Sequence, residues 1–280
     1  FNQFFTIFIN FFMQKELKKM NYEKICAQVA ELSKDVGHFI KNSKEDADVG
    51  LNFKSSNDLV TKIDIEAENR FVNGLKKILP EAGFITEEIS EHKQSNEFNW
   101  IVDPLDGTTN FVHGIPMYCT SVALMYKNEV KVGVIHEINQ EETFKAGENA
   151  PAELNDKEIN CSHNDIFQNA LLVTGFPYSP PDNYDRYIGL FKHMQLTSRG
   201  VRRLGSAAMD LAYVACGRFD VFWEYGLNPW DVAAGSLIVE RAGGIVTDFY
   251  DKRDFVFGRS IIASAEHVRE EFMGEFRKFY

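Results

Sequence analysis

Two aspartates lie three residues apart behind a short apolar run, in the sequence WIVDPLDGTTNF at residues 100–111. The run WIV predicts a buried strand that presents Asp103 at its carboxyl end. Pro104 restricts φ and Gly107 relaxes it, so the turn can bring Asp103 and Asp106 toward one point. Like charges avoid such an approach unless a cation lies between them. The pattern therefore favours a metal site.

The residues behind the second aspartate, Gly107, Thr108 and Thr109, predict the start of a helix. The unpaired N–H groups and the positive dipole end of a helix bind phosphate, so a phosphate site would lie beside the metal site. A simpler interpretation is that Asp106 caps the helix and Asp103 ends a strand, because aspartate is common in both positions. The spacing alone leaves both interpretations open.

Composition sets the outer bounds. The chain has 280 residues, 44% of them hydrophobic, and contains no low-complexity tract, so we expect one large core without linkers. Its 30 basic and 41 acidic residues give a net charge of −11, and we expect no nucleic-acid partner. The cysteines show no CxxC spacing, which indicates neither zinc nor disulfides and predicts a reducing cytoplasm. They are Cys26, Cys119, Cys161 and Cys216.

The amino terminus carries a strongly apolar stretch, FFTIFINFF at residues 4–12. It is far shorter than the roughly 20 residues that a membrane-spanning helix needs. Positive charge follows the stretch instead of preceding it, unlike in a signal peptide. We therefore expect residues 1–20 to be an extension outside the fold, with no stable membrane association. A tail that touches a membrane is the alternative.

Apolar periodicity predicts the remaining elements. The first half, residues 21–147, has the pattern of an α+β unit with antiparallel strands, including a hairpin. Its predicted helices cover 22–40 and about 65–79, and its predicted strands cover 84–86, 100–102, 118–126 and 130–138. The second half, residues 148–280, alternates more regularly and predicts α/β layering. Its predicted helices cover about 182–195, 205–217, 230–244 and the last residues, and its predicted strands cover 171–175, 218–224, 244–248 and 260–264.

Three separated motifs resemble the inositol monophosphatase family of metal-dependent, lithium-sensitive phosphatases of sugars and polyols. They are TEE at 86–88, WIVDPLDGTTNF at 100–111, and PWDVAAG at 229–235 leading into ERAGG. A fourth motif, SSNDLVTKID at 55–64, is similar to the family segment that supplies further aspartates near the metals. The resemblance implies one phosphatase domain over residues 21–280, folded as a sandwich of alternating α-β-α-β-α layers. The first half would hold the metal site and the second half the substrate residues.

The resemblance also assigns the metal ligands. It implies that Glu87, Asp103, Asp106 and Asp231 supply carboxylates and that the Leu105 carbonyl is a further ligand. Hard oxygen donors without cysteine or histidine select Mg²⁺ over zinc or copper. Four carboxylates suit two or three ions. Asp231 taken alone could be only a cap, since it would lie in the first turn of a helix.

The family pattern further implies direct hydrolysis by a metal-activated water, with no covalent phospho-enzyme. Glu87 and Thr108 would position the water, with Asp64 supporting Thr108, and the N–H groups of Gly107 and Thr108 would hold the phosphate. The substrate-binding positions that the family implies are Asp106, Gly107, Thr108, Gly205, Ser206, Ala207, Glu224 and Asp231. Glu224 could instead be an ordinary strand-end carboxylate, and GSAA a tight helix start. The side chains left unassigned are His113, Arg202 and Arg203.

Two departures from the family pattern affect specificity. Thr86 replaces the usual glycine before the glutamate pair and could tighten the loop that carries Glu87. Asn228 lies at a variable position and leaves the identity of the polyol open. The TTNF that follows DPLDG favours the monophosphatase branch over fructose-1,6-bisphosphatases and 3′(2′),5′-bisphosphate nucleotidases. NADP phosphatase activity and a non-catalytic partner-binding role remain alternatives, because some bacterial family members contact transcription machinery. The family pattern also predicts a homodimer.

Overall fold

Helices and strands alternate in layers through the part of the chain that the structure describes. The computed structural model describes residues 20–46, 51–55, 58–89, 92–177 and 184–280. Seven α-helices lie in these ranges: α1 (Tyr22–Asp46), α2 (Lys62–Ile78), α3 (Thr108–His113), α4 (Tyr184–Thr197), α5 (Ala207–Ala215), α6 (Pro229–Arg241) and α7 (Glu266–Phe276). A separate hairpin pairs β1 (Leu51–Ser55) with β2 (Asp58–Thr61).

The first sheet has seven strands. In spatial order they are β3 (Gly83–Thr86), β4 (Phe98–Asp106), β5 (Cys119–Tyr126), β6 (Glu129–Glu137), β7 (Glu142–Gly147), β8 (Glu153–Leu154) and β9 (Lys157–Glu158). β3 runs parallel to β4, and every other pair in this sheet is antiparallel. The middle strands are apolar and buried on both faces, so helices must cover them from either side.

The second sheet has five strands and mixed directions. In spatial order they are β11 (Gly200–Arg202), β10 (Leu171–Thr174), β12 (Val221–Tyr225), β14 (Ser260–Ser264) and β13 (Ile245–Thr247). β10 is parallel to both of its neighbours, whereas β14 is antiparallel to both of its own. This sheet holds the second half of the chain together.

The helices form three layers around the two sheets. α1 and α2 pack on one face of the first sheet. α5 and α6 lie between the sheets, and α6 is buried on all sides from Val232 to Val239, as expected for a helix with a sheet on either side. α4 and α7 contact the second sheet at Trp223, through Tyr187 and Phe272. The predicted α-β-α-β-α layering is confirmed.

Most predicted elements are present, and the differences have physical reasons. β3 and β4 are parallel, not antiparallel as predicted, because the long connection over residues 87–97 lets the chain return in the same direction. β4 continues to Asp106 instead of turning at Pro104. Its register with β5 shifts between Asp103 and Asp106, since proline has no N–H for the ladder. The strands β7, β8, β9 and β11 and the hairpin β1–β2 were not predicted.

Some predictions lie partly or wholly outside the described residues. These are the apolar stretch at 4–12, the first residues of the helix predicted at about 182–195, and part of SSNDLVTKID. Met20 packs against the core beside α1, and the domain boundaries stay predictions. Within the described ranges, no helix is both long and apolar enough to cross a membrane. All four cysteines are free thiols.

We expect Gly133→Ala to destabilise the fold, because β6 lies in direct contact with α6 there. A Cβ at Gly133 would lie 2.5 Å from the Ala234 carbonyl oxygen, which is helix backbone and cannot move aside cheaply. Such overpacking should lower the free energy of unfolding by about 1–3 kcal/mol, measured by urea denaturation.

Gly274→Ala is the matched control. A Cβ at this α7 position meets nothing within 4 Å, so the same substitution should stabilise the helix by about 0.5–1 kcal/mol. Equal effects of the two substitutions would contradict the close packing of β6 on α6.

Candidate metal and phosphate site

Two parallel strands bring Glu87 and Asp103 to the same edge of the first sheet. Thr86, the last residue of β3, pairs in register with Val102 of β4. The next residue of each strand, Glu87 and Asp103, therefore projects from the same end. The charge of Glu87 raises the pKa of Asp103, so the two carboxyl groups are close neighbours. The glutamate of the TEE motif and the first aspartate of the long motif thus lie near each other, and their role as metal ligands stays a prediction.

Asp103 is almost completely buried, and the N–H of Leu105 donates to its Oδ1 at 3.0 Å. Burial, followed by the charges of Glu87, Asp106 and Asp231, holds the pKa of Asp103 well above its usual range. Burial and the charge of Asp231 do the same for the pKa of Glu87. These carboxylates are therefore close enough to repel one another strongly.

Asp106 joins the first sheet to the helix layer behind it. Its Oδ2 accepts hydrogen bonds from Ser206 Oγ at 2.8 Å and from the Ala208 N–H at 2.7 Å, at the N-terminus of α5. Burial raises the pKa of Asp106 to about 6, and these hydrogen bonds, together with the charge of Arg203, limit the rise. The positive end of the α5 dipole therefore faces Asp106.

Asp231 enters the cluster from the first turn of α6. Pro229 occupies the first position of that helix, and the Asn228 N–H donates to Asp231 Oδ2 at 2.7 Å. The guanidinium of Arg259 holds this loop by donating to Asn228 Oδ1 at 2.8 Å and to the Gly226 carbonyl at 2.6 Å. Burial and the charge of Asp106 raise the pKa of Asp231 to about 7. Asp231 is therefore a helix cap and a member of the acidic cluster at once.

The donor chemistry of this cluster fits a hard divalent cation. Glu87, Asp103, Asp106 and Asp231 present only carboxylate oxygens, which Mg²⁺ prefers. A bound cation would neutralise the repulsion between these carboxylates. In the described ranges, no three histidine, cysteine or acidic side chains are already arranged around one cation position. The four side chains would therefore have to rearrange to hold an ion.

The predicted phosphate-binding turn has the expected shape. Gly107 adopts a left-handed φ of 94°, and a Cβ there would lie 2.9 Å from the Met117 carbonyl, so only glycine fits. Thr108 is the first residue of α3, and its hydroxyl donates to the Leu105 carbonyl at 2.9 Å. Asp64 is buried in the first turn of α2. Its support of Thr108 stays a prediction.

Glu224 lies within electrostatic range of the acidic cluster, although it comes from the second sheet. Burial, followed by the charge of Asp231, raises the pKa of Glu224 to about 8. An ordinary strand-end carboxylate would be exposed, whereas Glu224 is 8% exposed. Its position is therefore not that of an ordinary strand-end carboxylate, and substrate binding by Glu224 stays a prediction.

The GSAA segment begins α5 and also forms a hydrogen bond with Asp106. Ser206 caps α5 by accepting from the Met209 N–H at 3.3 Å, and its hydroxyl donates to Asp106. Gly205 has a left-handed φ of 93°, and a Cβ there would lie 2.6 Å from the Arg203 guanidinium. Ala207, which follows Ser206, is buried. The segment is a tight helix start in the structure, and polyol binding stays a prediction.

Sequence reasoning left some residues near the site unassigned or unnoticed. The charge of Arg203 opposes the raised pKa values of Asp106, Glu224 and Asp210, which indicates that this arginine lies near the acidic cluster. The side chains of Arg203, Arg202 and His113 are all exposed. The sequence signal that could have identified Arg203 is its position two residues before Gly205. The residues near the site that sequence reasoning did not notice are Asn110, Asp210 and Glu68. Asn110 donates to the Leu204 carbonyl at 2.8 Å and so ties α3 to the GSAA segment.

Helices and sheets alternate in five layers, and the acidic cluster lies where the first sheet meets helices α5 and α6. The sequence model of the inositol monophosphatase family matches residues 14–278, nearly the whole chain. The chain therefore belongs to the inositol monophosphatase family.

Similar proteins carry two kinds of name. Nus factor SuhB of Pseudomonas aeruginosa is 39% identical over 237 residues, which cover 82% of this chain and 88% of that protein. The crystal structure of the extragenic suppressor protein suhB from Bartonella henselae has a TM-score of 0.87 at 34% identity, covering 92% of this chain and 100% of that one. Inositol monophosphatase from Anabaena has a TM-score of 0.82 at 31% identity, covering 93% and 98%.

We expect the metal-free protein to lose stability as the pH rises from 6.5 to 8.5. A carboxyl group whose pKa is higher in the folded than in the unfolded chain stabilises the fold only while it is protonated, so this stability is lost as the pH passes the folded pKa. Asp231 and Glu224, at about 7 and about 8, titrate in this window. The free energy of unfolding should fall by roughly 2 kcal/mol, measured by urea denaturation in chelator.

Saturating Mg²⁺ is the control, because a bound cation favours the ionised form of Asp231 and should remove the share of the pH dependence that comes from this residue. The buried His136, whose pKa burial lowers to about 4, stays neutral in this window in the folded protein. Stability that is constant or rises with pH in chelator would show that these carboxyl groups do not titrate as a repelling cluster.

Proposed function

We propose that this protein hydrolyses phosphate monoesters of inositol or a similar small polyol in a Mg²⁺-dependent reaction, releasing the polyol and inorganic phosphate. The observation that carries the proposal is the meeting of Glu87, Asp103, Asp106 and Asp231 beside the glycine turn at Gly107. Membership of the inositol monophosphatase family supports phosphatase activity. The named enzyme from Anabaena supports the choice of inositol phosphate.

Each residue then has a role in hydrolysis. Bound Mg²⁺ would supply Lewis-acid polarisation of the phosphate and lower the pKa of a water molecule. Glu87 and the Thr108 hydroxyl orient the attacking water, and the N–H groups at the start of α3 bind phosphate oxygens. The water oxygen forms a bond to phosphorus, the ester P–O bond breaks, and the leaving oxygen takes up a proton. Asp231 and Glu224 accept hydrogen bonds from substrate hydroxyls.

The direct test is phosphate release from inositol 1-phosphate, with and without Mg²⁺ and with increasing lithium. We expect release that requires Mg²⁺ and that lithium inhibits, as in the family. Metal-dependent release from other phosphates alone would keep the site and change the substrate. No metal-dependent release from any monoester would refute the proposal.

We expect Asp103→Asn and Asp231→Asn each to lower kcat/KM by at least about 1000-fold while the protein stays folded. Each change removes a metal ligand but also one charge from a repelling cluster, so the melting temperature in chelator should stay the same or rise. Asp220→Asn is the matched control. Asp220 is a buried aspartate outside the cluster that accepts from the Leu171 N–H at 2.7 Å, so its variant should lose stability but retain kcat. Full turnover in either cluster variant would contradict the site.

Other phosphates remain alternative substrates within the same reaction class. The values of kcat/KM for inositol 1-phosphate, fructose 1,6-bisphosphate, adenosine 3′,5′-bisphosphate and NADP separate them. A rate on the adenosine bisphosphate equal to that on inositol phosphate would reject the narrow substrate.

A second candidate function follows from the relatives that are named Nus factors. A role in a protein or nucleic-acid assembly would be independent of turnover, and the predicted lack of a nucleic-acid partner is not confirmed. Cells that carry Asp103→Asn in place of the natural chain test this directly. A retained phenotype, with the same partners in pull-down, would favour assembly, whereas a phenotype lost together with turnover would favour the enzyme. The predicted homodimer is checked by light scattering, where the mass of a single chain would refute it.

A further inference from the structure

Glu68 is a buried carboxylate that the proposed reaction does not use. It lies on α2, and its side chain is 0% exposed. Glu68 Oε1 accepts from the Thr86 hydroxyl at 2.9 Å and from the Ile89 N–H at 3.0 Å, and Oε2 accepts from the Glu88 N–H at 2.8 Å. All three donors belong to the segment that carries Glu87.

Burying a carboxylate is unfavourable unless hydrogen bonds replace its water. Glu68 meets this condition almost entirely with groups from one short loop, together with His92, whose Nε2 lies 3.4 Å from Oε1. The exchange acts in both directions. The loop satisfies the carboxylate, and the carboxylate fixes the loop to α2 through charge-assisted hydrogen bonds, which are the strong kind.

The loop needs such an anchor because Glu87 lies beyond the last β-sheet pair. The pairing of β3 with β4 ends at Thr86 and Val102. Beyond that point, burial and the charges of Asp231 and Glu88 disfavour a charged Glu87 in its position. The contacts of Glu68 hold the residues on both sides of Glu87, Thr86 before it and Glu88 after it.

We propose that Glu68 is the positioning residue of the metal site, which holds the Glu87 loop against the repulsion of the carboxylate cluster so that Glu87 can bind the cation. The proposal rests on the proposed Mg²⁺-dependent function. It also gives Thr86 a role, because the threonine that replaces the family's usual glycine supplies one of the three donors.

Glu68→Gln tests this assignment. The amide replaces one carboxylate oxygen by an NH₂ group, which cannot accept, so at least one loop N–H loses its acceptor. Loss of a group that orients a metal ligand typically weakens metal binding by about 10–100-fold. We expect Mg²⁺ to bind metal-free Glu68→Gln about 10-fold more weakly than the natural chain, measured by isothermal titration calorimetry.

Phosphate release gives the second readout. The Mg²⁺ concentration for half-maximal activity should rise about 10-fold, whereas kcat at saturating Mg²⁺ should stay within about 3-fold. High Mg²⁺ should restore Glu68→Gln but not Glu87→Gln, which lacks the ligand itself. The matched control is Glu66→Gln, because Glu66 lies on the same helix, is exposed, and pairs with Arg70 at 2.9 Å. Its Mg²⁺ affinity should not change.

Thr86→Val provides a milder variant in case Glu68→Gln does not fold. It removes one donor with little change of shape and should weaken Mg²⁺ binding by roughly 3-fold, the effect of one hydrogen bond. Unchanged Mg²⁺ affinity in a folded Glu68→Gln or Thr86→Val protein would overturn the proposal. An equal loss in Glu66→Gln, or failure of both loop variants to fold, would also overturn it, because Glu68 would then serve the fold alone.

The two proposals fail separately. A natural chain that releases no phosphate, but whose Mg²⁺ affinity still drops on Glu68→Gln, would refute the function and support the positioning role. An active natural chain whose Mg²⁺ affinity is unaffected by the variant would refute only the positioning role.

Discussion

The mutual repulsion of four clustered carboxylates, one of them buried and three partly buried, is the constraint on which the rest of this structure depends. Glu87, Asp103, Asp106 and Asp231 come from three different elements and meet where the surrounding protein limits screening by water. A cluster of this kind opens unless each member is fixed independently. The surrounding helices supply the fixed points: α5 binds Asp106, the first turn of α6 holds Asp231, and Glu68 of α2 holds the Glu87 loop.

The layered packing makes those fixed points rigid. α6 has a sheet on either side, and at Gly133 the backbone of β6 approaches α6 so closely that a methyl group does not fit. Asp231 therefore cannot move away from Asp103 without moving a helix that both sheets hold. Close-packed interiors resist such shifts because every displacement costs contacts elsewhere. The core thus offsets the strain of the acidic cluster.

The sequence predicts the part of this arrangement that is local. The spacing of Asp103, Pro104 and Asp106, the glycine turn and the first turn of α6 are all contained in short segments. The alternation of patterns predicts α/β layering in the second half, whereas the five-layer sandwich comes from the resemblance to the family. Contacts between distant segments carry no such signal. The hydrogen bond of Glu68 to a residue 20 positions away and the approach of Arg203 to Asp106 depend on how the layers pack. The parallel pairing of β3 with β4 also depends on the long connection between them, which periodicity does not report.

The way in which the carboxylates are anchored also explains why a divalent cation suits the site. Backbone N–H groups and a hydroxyl hold Asp103, Asp106 and Asp231. Within the part of the chain that the structure describes, no lysine or arginine forms an ion pair with any of the three. N–H groups orient a carboxylate and leave its charge in place, whereas a lysine or arginine partner would cancel it. The charge of Arg259 lowers the pKa of Asp231, but this guanidinium donates its hydrogen bonds to Asn228 and to the Gly226 carbonyl. The carboxylates thus keep the negative charge with which they compete against water for a divalent cation.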